Sequence, residues 1–320
     1  MKRNRQKYGI ALVLAALLCG CDSARTSLPQ DGLMRLGARL DGMSETRGTL
    51  IGSLSKFEEM HTANGIGVWM YDTDGNALVS GTPFKPVSYA GSTVWMPETN
   101  IYWPEKATTL YAYAPLSASL EIDAYGTFEY TVPEGNESQP DLTVASSAVA
   151  ANYPYTTDEG ILPLKFKHAL SAVRFQTGAD MVNGTFKSIT IGDAYGKDVY
   201  EFATGQWRSD HDAVTSFSLP LDVAVTFSTP ESTPITKESQ TFFMLPQTFA
   251  ADGQYILIVF NDGIADHNLK IYLTELGTGW EAGKEYVYSV SLTTWEIIFS
   301  LSVEGDYSAI TSCPFDTDDN

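Results

Sequence analysis

The run Trp295-Glu296-Ile297-Ile298-Phe299-Ser300-Leu301-Ser302-Val303 sets an apolar side chain at every second position. Trp295, Ile297, Phe299, Leu301 and Val303 share one side. Glu296, Ile298, Ser300, Ser302 and Glu304 take the other. Side chains of an extended strand alternate between two faces, so this run reads as an amphipathic β-strand. The same period governs the other end of the chain, where Met34, Leu36, Ala38 and Leu40 alternate with Arg35, Gly37, Arg39 and Asp41.

Between these two runs the chain reads as short strands separated by turn residues. Gly67-Val68-Trp69-Met70-Tyr71 leads through the tight-turn signal Asp74-Gly75 into Ala77-Leu78-Val79. In 109–114, Leu110, Ala112 and Ala114 alternate with Thr109, Tyr111 and Tyr113. The nearly continuous apolar runs 241–245 and 255–260 suit central strands of a core. Aromatic residues (Tyr 17, Phe 15, Trp 6) are plentiful, and Gly 26 and Pro 15 recur at short intervals. This composition predicts an all-β chain of sandwich type. The best helical candidate is short, Ser55 to His61, with Phe57 and Met60 on one side.

The first 20 residues read as an export signal. Lys2, Arg3, Arg5 and Lys7 precede an apolar run from Ile10 to Leu18, which is too short to span a bilayer. Leu18-Cys19-Gly20-Cys21 resembles a bacterial lipobox, which implies cleavage before Cys21 and lipidation of its thiol. An ordinary signal peptide that happens to contain cysteines is the alternative. Several acyl chains anchor a protein stably at a membrane face, since each buried methylene contributes about 0.8 kcal/mol. The expectation is an outer-membrane lipoprotein at the cell surface.

Removing the four basic residues of the signal leaves 16 Lys and Arg against 39 Asp and Glu, a net charge of −23. Such a surface repels phosphate backbones, so nucleic acid is not an expected partner. Of the three cysteines only Cys313 would stay unmodified, so no internal disulfide is expected. Roughly 300 mature residues suit two domains. The expected layout is a tether at 21–32, an N-terminal β-sandwich at 33–155 and a C-terminal β-sandwich at 156–304. An acidic tail at 305–320 follows.

No motif for catalysis emerges, and no enzyme activity is expected. Gly279-Trp280-Glu281-Ala282-Gly283-Lys284 resembles a phosphate loop, but its spacing is one short and Glu285 replaces the required Ser or Thr. Asp72-Thr73-Asp74-Gly75-Asn76 resembles a calcium loop, but its Gly comes two places early and Pro83 stands where Glu is needed. A hairpin turn explains it better. The four histidines, His61, His168, His211 and His267, lack metal-ligand spacing, so neither a metal nor a cofactor is expected. His168, in an alternating strand, reads as structural. Trp69, Trp95, Tyr102, Trp103, Tyr111 and Tyr113 could stack on sugar rings. Trp95 and Trp103 are the leading ligand candidates among them, against the alternative of core and cross-strand packing.

Three stretches and the lipobox resemble, in order, the fimbrillin family of Bacteroidales, the Mfa-like pilin lipoproteins. Residues 101–115 resemble its Trp-Pro segment followed by a Tyr-rich strand. Residues 164–175 resemble its Leu-x-Phe-x-His-x-Leu-x-x-Val-x-Phe opening of the second domain. Residues 279–288 resemble its Trp-x-x-Gly-x-x-Tyr-x-Tyr hairpin. The resemblance implies two tandem transthyretin-like β-sandwiches and a subunit of an adhesive fimbrium whose partners are other fimbrial subunits. It further implies cutting by an Arg-specific protease, here between Arg47 and Gly48, with Arg39 a weaker candidate inside the strand. The first strand, carrying Met34, Leu36, Ala38 and Leu40, would then be displaced. A neighbour's Trp295, Ile297, Phe299, Leu301 and Val303 would fill the groove. In cis completion of its own domain by 295–303 is the alternative. A glycan- or host-ligand-binding lipoprotein that does not polymerise is the competing function. A glycosidase, which needs two carboxylates across a cleft, comes third.

Overall fold

The computed structural model describes residues 31–40, 54–89, 91–136, 139–153, 160–209, 214–293, 296–303 and 306–314. Its N-terminal half runs β1 (Leu36–Leu40), α1 (Leu54–His61), β2 (Ile66–Asp72), β3 (Ala77–Tyr89) and β4 (Ser92–Pro97). It continues through β5 (Thr108–Ala114), β6 (Thr127–Thr131), β7 (Thr143–Val149) and β8 (Leu162–His168). Seven of these strands close a barrel in the order β1-β4-β3-β2-β5-β7-β8. Period-two alternation builds its interior: Val68 and Met70, Leu110 and Ala112, and Leu164 and Phe166 all face one buried core. Helix α1 adds Phe57 and His61 to that core, four residues apart on one helical face, and leaves Met60 exposed.

The C-terminal half contains β9 (Ser171–Thr177), β10 (Gly184–Tyr195), β11 (Lys197–Glu201), β12 (Gln206–Trp207), β13 (Val214–Val225), β14 (Phe242–Met244) and β15 (Gln247–Thr248). After these come β16 (Tyr255–Asn261), β17 (Asp266–Tyr272), β18 (Gly279–Trp280), β19 (Glu285–Leu292), β20 (Glu296–Val303) and β21 (Asp306–Pro314). One sheet has the order β13-β10-β16-β17 and another β14-β9-β19-β20-β21. Phe186, Ile191, Ile256 and Ile258 of the first share a single core with Phe175, Tyr288, Val290 and Phe299 of the second.

The chain is all-β as expected, but its sheets do not divide at 155/156. Leu162–His168, expected to open the C-terminal domain, is β8 and closes the N-terminal barrel against β1 and β7. Conversely, β6 leaves the barrel and pairs with β11 of the C-terminal half. Where two tandem sandwiches were expected, the first half is a closed barrel and the second a pair of facing sheets.

An aromatic seam joins the halves. Strand β5 is buried on both sides: Leu110, Ala112 and Ala114 face the barrel interior, while Tyr111 and Tyr113 face the C-terminal core. The Tyr111 ring lies 4.8 Å from Phe202, and Phe128 lies 5.2 Å from Tyr200. Tyr113 packs over Gly67, where a β-carbon would come within 2.3 Å of its ring, so only glycine fits there. His168 binds Asp141 at 2.8 Å at this junction, in keeping with a structural role. Asp72 caps the β2–β3 turn by accepting from the amides of Asp74 and Asn76, so the calcium-like stretch is a hairpin turn.

Candidate functional site

The candidate site is the slot that holds the first strand. Met34 and Leu36 are fully buried in the barrel core, and Ala38 packs against it. The segment reaches this position by changing partners along its length. Met34 donates its amide to the Ile101 carbonyl at 2.8 Å, and Trp103 donates to the Gly32 carbonyl at 2.9 Å. Leu36 then stands opposite Trp95 of β4, the single residue pair on that side. On the other side, β1 runs parallel to β8, from Leu36 opposite Leu162 to Leu40 opposite Phe166. The strand is therefore bound along β8 and 101–103 and only touched by β4.

The outer face of the slot is selective. Arg35 is buried beneath a clamp: its two terminal nitrogens donate to both carboxylate oxygens of Asp31 at 2.8 and 2.6 Å, and its guanidinium carbon lies 4.3 Å from the Tyr89 ring centre. The hydrogen bond from Arg35 holds the Asp31 carboxyl below its usual range. Gly37 sits close to the start of β8, where a β-carbon would meet the Ile161 side chain at 3.3 Å, so space at this position is short. Arg39 is exposed.

The far end of the chain is occupied in cis. Strand β20 lies between β19 and β21, and Ile297, Phe299 and Leu301 are buried in the C-terminal core, with Val303 packed against it. The run expected to be available for donation is thus part of its own domain. The outer strand is β21, which occupies 306–314, where a tail was expected, and sets Cys313 opposite Ile297. Trp295, Cys21, Arg47 and Gly48 lie outside the described residues.

The aromatic candidates for a ligand are mostly internal. Trp95 is fully buried in the barrel, and Trp103 is buried with its ring 4.6 Å from Tyr153. Neither presents a face to a sugar, which corrects that expectation. Tyr111 and Tyr113 belong to the seam, and Tyr102 alone of the six is widely exposed, at 59%. Among the described residues no group of three His, Cys, Asp or Glu side chains is placed to hold a metal ion. The burial of His61 was not expected from its sequence neighbours. It is buried in the barrel with its ring 4.7 Å from Phe57, and burial lowers its pKa to about 4. Its i+4 spacing from Phe57 was the available signal.

The fold and slot define an all-β protein whose barrel is completed by a segment close to its N-terminus. Solved structures share this architecture. A protein assigned to cell adhesion from Bacteroides uniformis matches with a TM-score of 0.56 at 16% identity, over 86% of this chain and 98% of that one. A fimbrial protein from Bacteroides vulgatus matches with a TM-score of 0.55 at 14% identity, over 85% and 99%. Among curated proteins, none matches this chain. The model of the fimbrillin-like family matches residues 55–305, and the chain belongs to that family.

Proposed function

We propose that this chain is a structural and adhesive subunit of a cell-surface fimbrium, carried to the outer membrane on lipid attached to Cys21. An Arg-specific protease cuts after Arg47 and so breaks the covalent link between β1 and the rest of the fold. The slot then takes β20 of a neighbouring subunit, with β21 following it.

The observation that carries this reading is the binding of β1. It completes the barrel core through Met34 and Leu36, yet it pairs along its length with β8 alone and meets β4 at one residue. The stretch between β1 and α1, 41–53, contains Arg47, so one cut there leaves β1 held only by noncovalent contacts. The patterns are also interchangeable. Met34, Leu36 and Ala38 find counterparts in Ile297, Phe299 and Leu301, and Ser300 falls at the position of Gly37, where space is short. Strand addition of this kind joins main-chain hydrogen bonds to side chains in pockets.

Because β20 is buried in cis, donation exchanges one set of contacts for another. The driving force is then the irreversible cut and the empty slot, rather than an unpartnered donor. Treating purified protein with a trypsin-like protease and running a native ladder tests this. Cleavage at Arg47 should yield a series of oligomers and a released fragment containing β1. A cut protein that stays strictly monomeric overturns the reading.

A further inference from the structure

The two ends of the described chain lie at opposite poles. Strand β1 runs parallel to β8, whose last residue, His168, abuts the C-terminal half, so Met34 and Tyr102 lie at the pole away from it. Strand β9 starts at that junction and runs outward in parallel with β19. Gly178 donates to the Val290 carbonyl, and Leu292 donates to the Asp180 carbonyl, so these strands end together at the far pole. Strand β20 begins at this pole, and β21 ends there, with Glu296 opposite Pro314.

Two large apolar side chains project from the same pole. Strand β10 starts beside the ends of β13 and β16, with Gly184 opposite Val225 and Thr185 opposite Asn261. The turns that follow β13 and β16 therefore both cap this end. Phe227 is 72% exposed on the first and Ile264 is 92% exposed on the second. Both turns are tied by hydrogen bonds. The Phe227 amide donates to the Asn183 side chain at 3.2 Å, and Thr229 donates to the Thr226 carbonyl at 2.9 Å. The Asp262 carboxylate accepts from the amides of Ile264 and Ala265 at 2.8 and 2.9 Å. Fixed apolar tips lose little conformational entropy on docking.

Chain length selects what they dock against. If β20 enters another subunit's slot, only 293–295 separate it from Leu292 at the far pole. The four steps from Leu292 to Glu296 reach at most about 14 Å. The donor's far pole is thereby drawn against the acceptor's barrel, beside the exposed Tyr102, which forms a bridge with Leu33 at the start of the displaced segment.

We propose that Phe227 and Ile264 form a second contact between successive subunits, seated on the barrel pole of a second copy of this chain around Tyr102. This rests on the strand-exchange reading above and adds a docking surface outside the slot. Such a head-to-tail contact joins different surfaces and leaves the assembly open-ended, as a fibre needs. It also fixes the angle between subunits, which a single inserted strand leaves loose.

The test compares wild-type protein with the double variant Phe227→Ser/Ile264→Ser after cleavage by a trypsin-like protease. Both substitutions are at exposed turn tips, and equal thermal midpoints of the uncut proteins check folding. The expected result is about a tenfold or greater loss of oligomers at a fixed protein concentration. A synthetic peptide covering 293–314 should bind both cut proteins equally, because the slot is untouched. Tyr102→Ser should repeat the assembly defect. If wild type and double variant give the same ladder with the same resistance to urea, the docking surface is refuted while strand exchange stands. If cut wild-type protein forms no ladder and binds no peptide, strand exchange fails and this inference with it.

Discussion

The guanidinium of Arg35 rests on the ring of Tyr89, 4.3 Å from its centre, and both terminal nitrogens bind the Asp31 carboxylate. Asp31 and Arg35 belong to the segment that a cut at Arg47 would release, whereas Tyr89 belongs to the barrel that stays. This stacking therefore opposes departure of β1. Arg35→Ala should cost about 1–2 kcal/mol of stability in the uncut protein, from lost cation–π attraction and lost packing of its aliphatic stem. After cleavage the variant should lose its β1 fragment faster than wild type, read by size-exclusion recovery of the fragment.

The same clamp has a pH dependence. The folded pKa of Asp31 lies below its unfolded value, so its contribution is present above the usual carboxylate pKa of about 4 and is lost as pH falls through the folded value. The stability gap between wild type and Asp31→Asn should be visible at neutral pH and close on acidification. Urea midpoints at neutral and strongly acidic pH measure it. A gap that persists unchanged in acid contradicts the assigned role of Asp31.

Trp95→Ala and Trp103→Ala should act as core deletions rather than ligand-site changes. Trp95 is fully buried, its ring 5.6 Å from Phe57, and such truncations cost about 3–5 kcal/mol. Circular dichroism melts should show large losses for Trp95→Ala. Any loss of sugar binding in these variants would thus follow unfolding, and Tyr102→Ala, at an exposed position, is the informative comparison.

Period-two patterning made the strands legible, because alternation is a local property. It could not show how many faces of a strand are buried. Strand β5 alternates small or aliphatic residues with tyrosines, and its tyrosine face reads as solvent-facing until the C-terminal half covers it. The partners of β6 and β8 were hidden for a related reason. Both follow from long-range pairing, and neither Thr127–Thr131 nor Leu162–His168 carries a residue that names its neighbour. The slot was half legible: alternation identified Met34 and Leu36 as inward, but the clamp on Arg35 depends on Tyr89, 54 positions away. At the C-terminus, alternation identified β20 and could not distinguish burial in cis from donation.

Truncation after Thr293 tests the cis placement of β20. The hairpin of β20 and β21 contributes Ile297, Phe299 and Leu301 to the C-terminal core, and its loss would uncover β19 along its length. An uncovered strand edge with an apolar face is prone to aggregate. The truncated protein should melt well below the full chain and form aggregates on mild heating. A soluble monomer of unchanged midpoint would mean that the hairpin contributes little to its own domain. Addition of the 293–314 peptide should restore part of the lost stability.

His61 should set the acid sensitivity of the barrel. Its ring is buried against Phe57, and burial lowers its pKa from the ordinary 6.5 to about 4. The folded state keeps it neutral, while the unfolded chain protonates it below about pH 6.5. Between these values the unfolded state binds the extra proton, so stability rises with pH through this window and falls on acidification. A shift of this size corresponds to roughly 3 kcal/mol across the window. His61→Leu keeps an apolar side chain in the core and removes the titration. Denaturant midpoints measured from pH 7 down to pH 4 should decline in wild type and stay nearly flat over the same range in the variant. A parallel decline in both proteins would place the acid-sensitive group elsewhere in the fold.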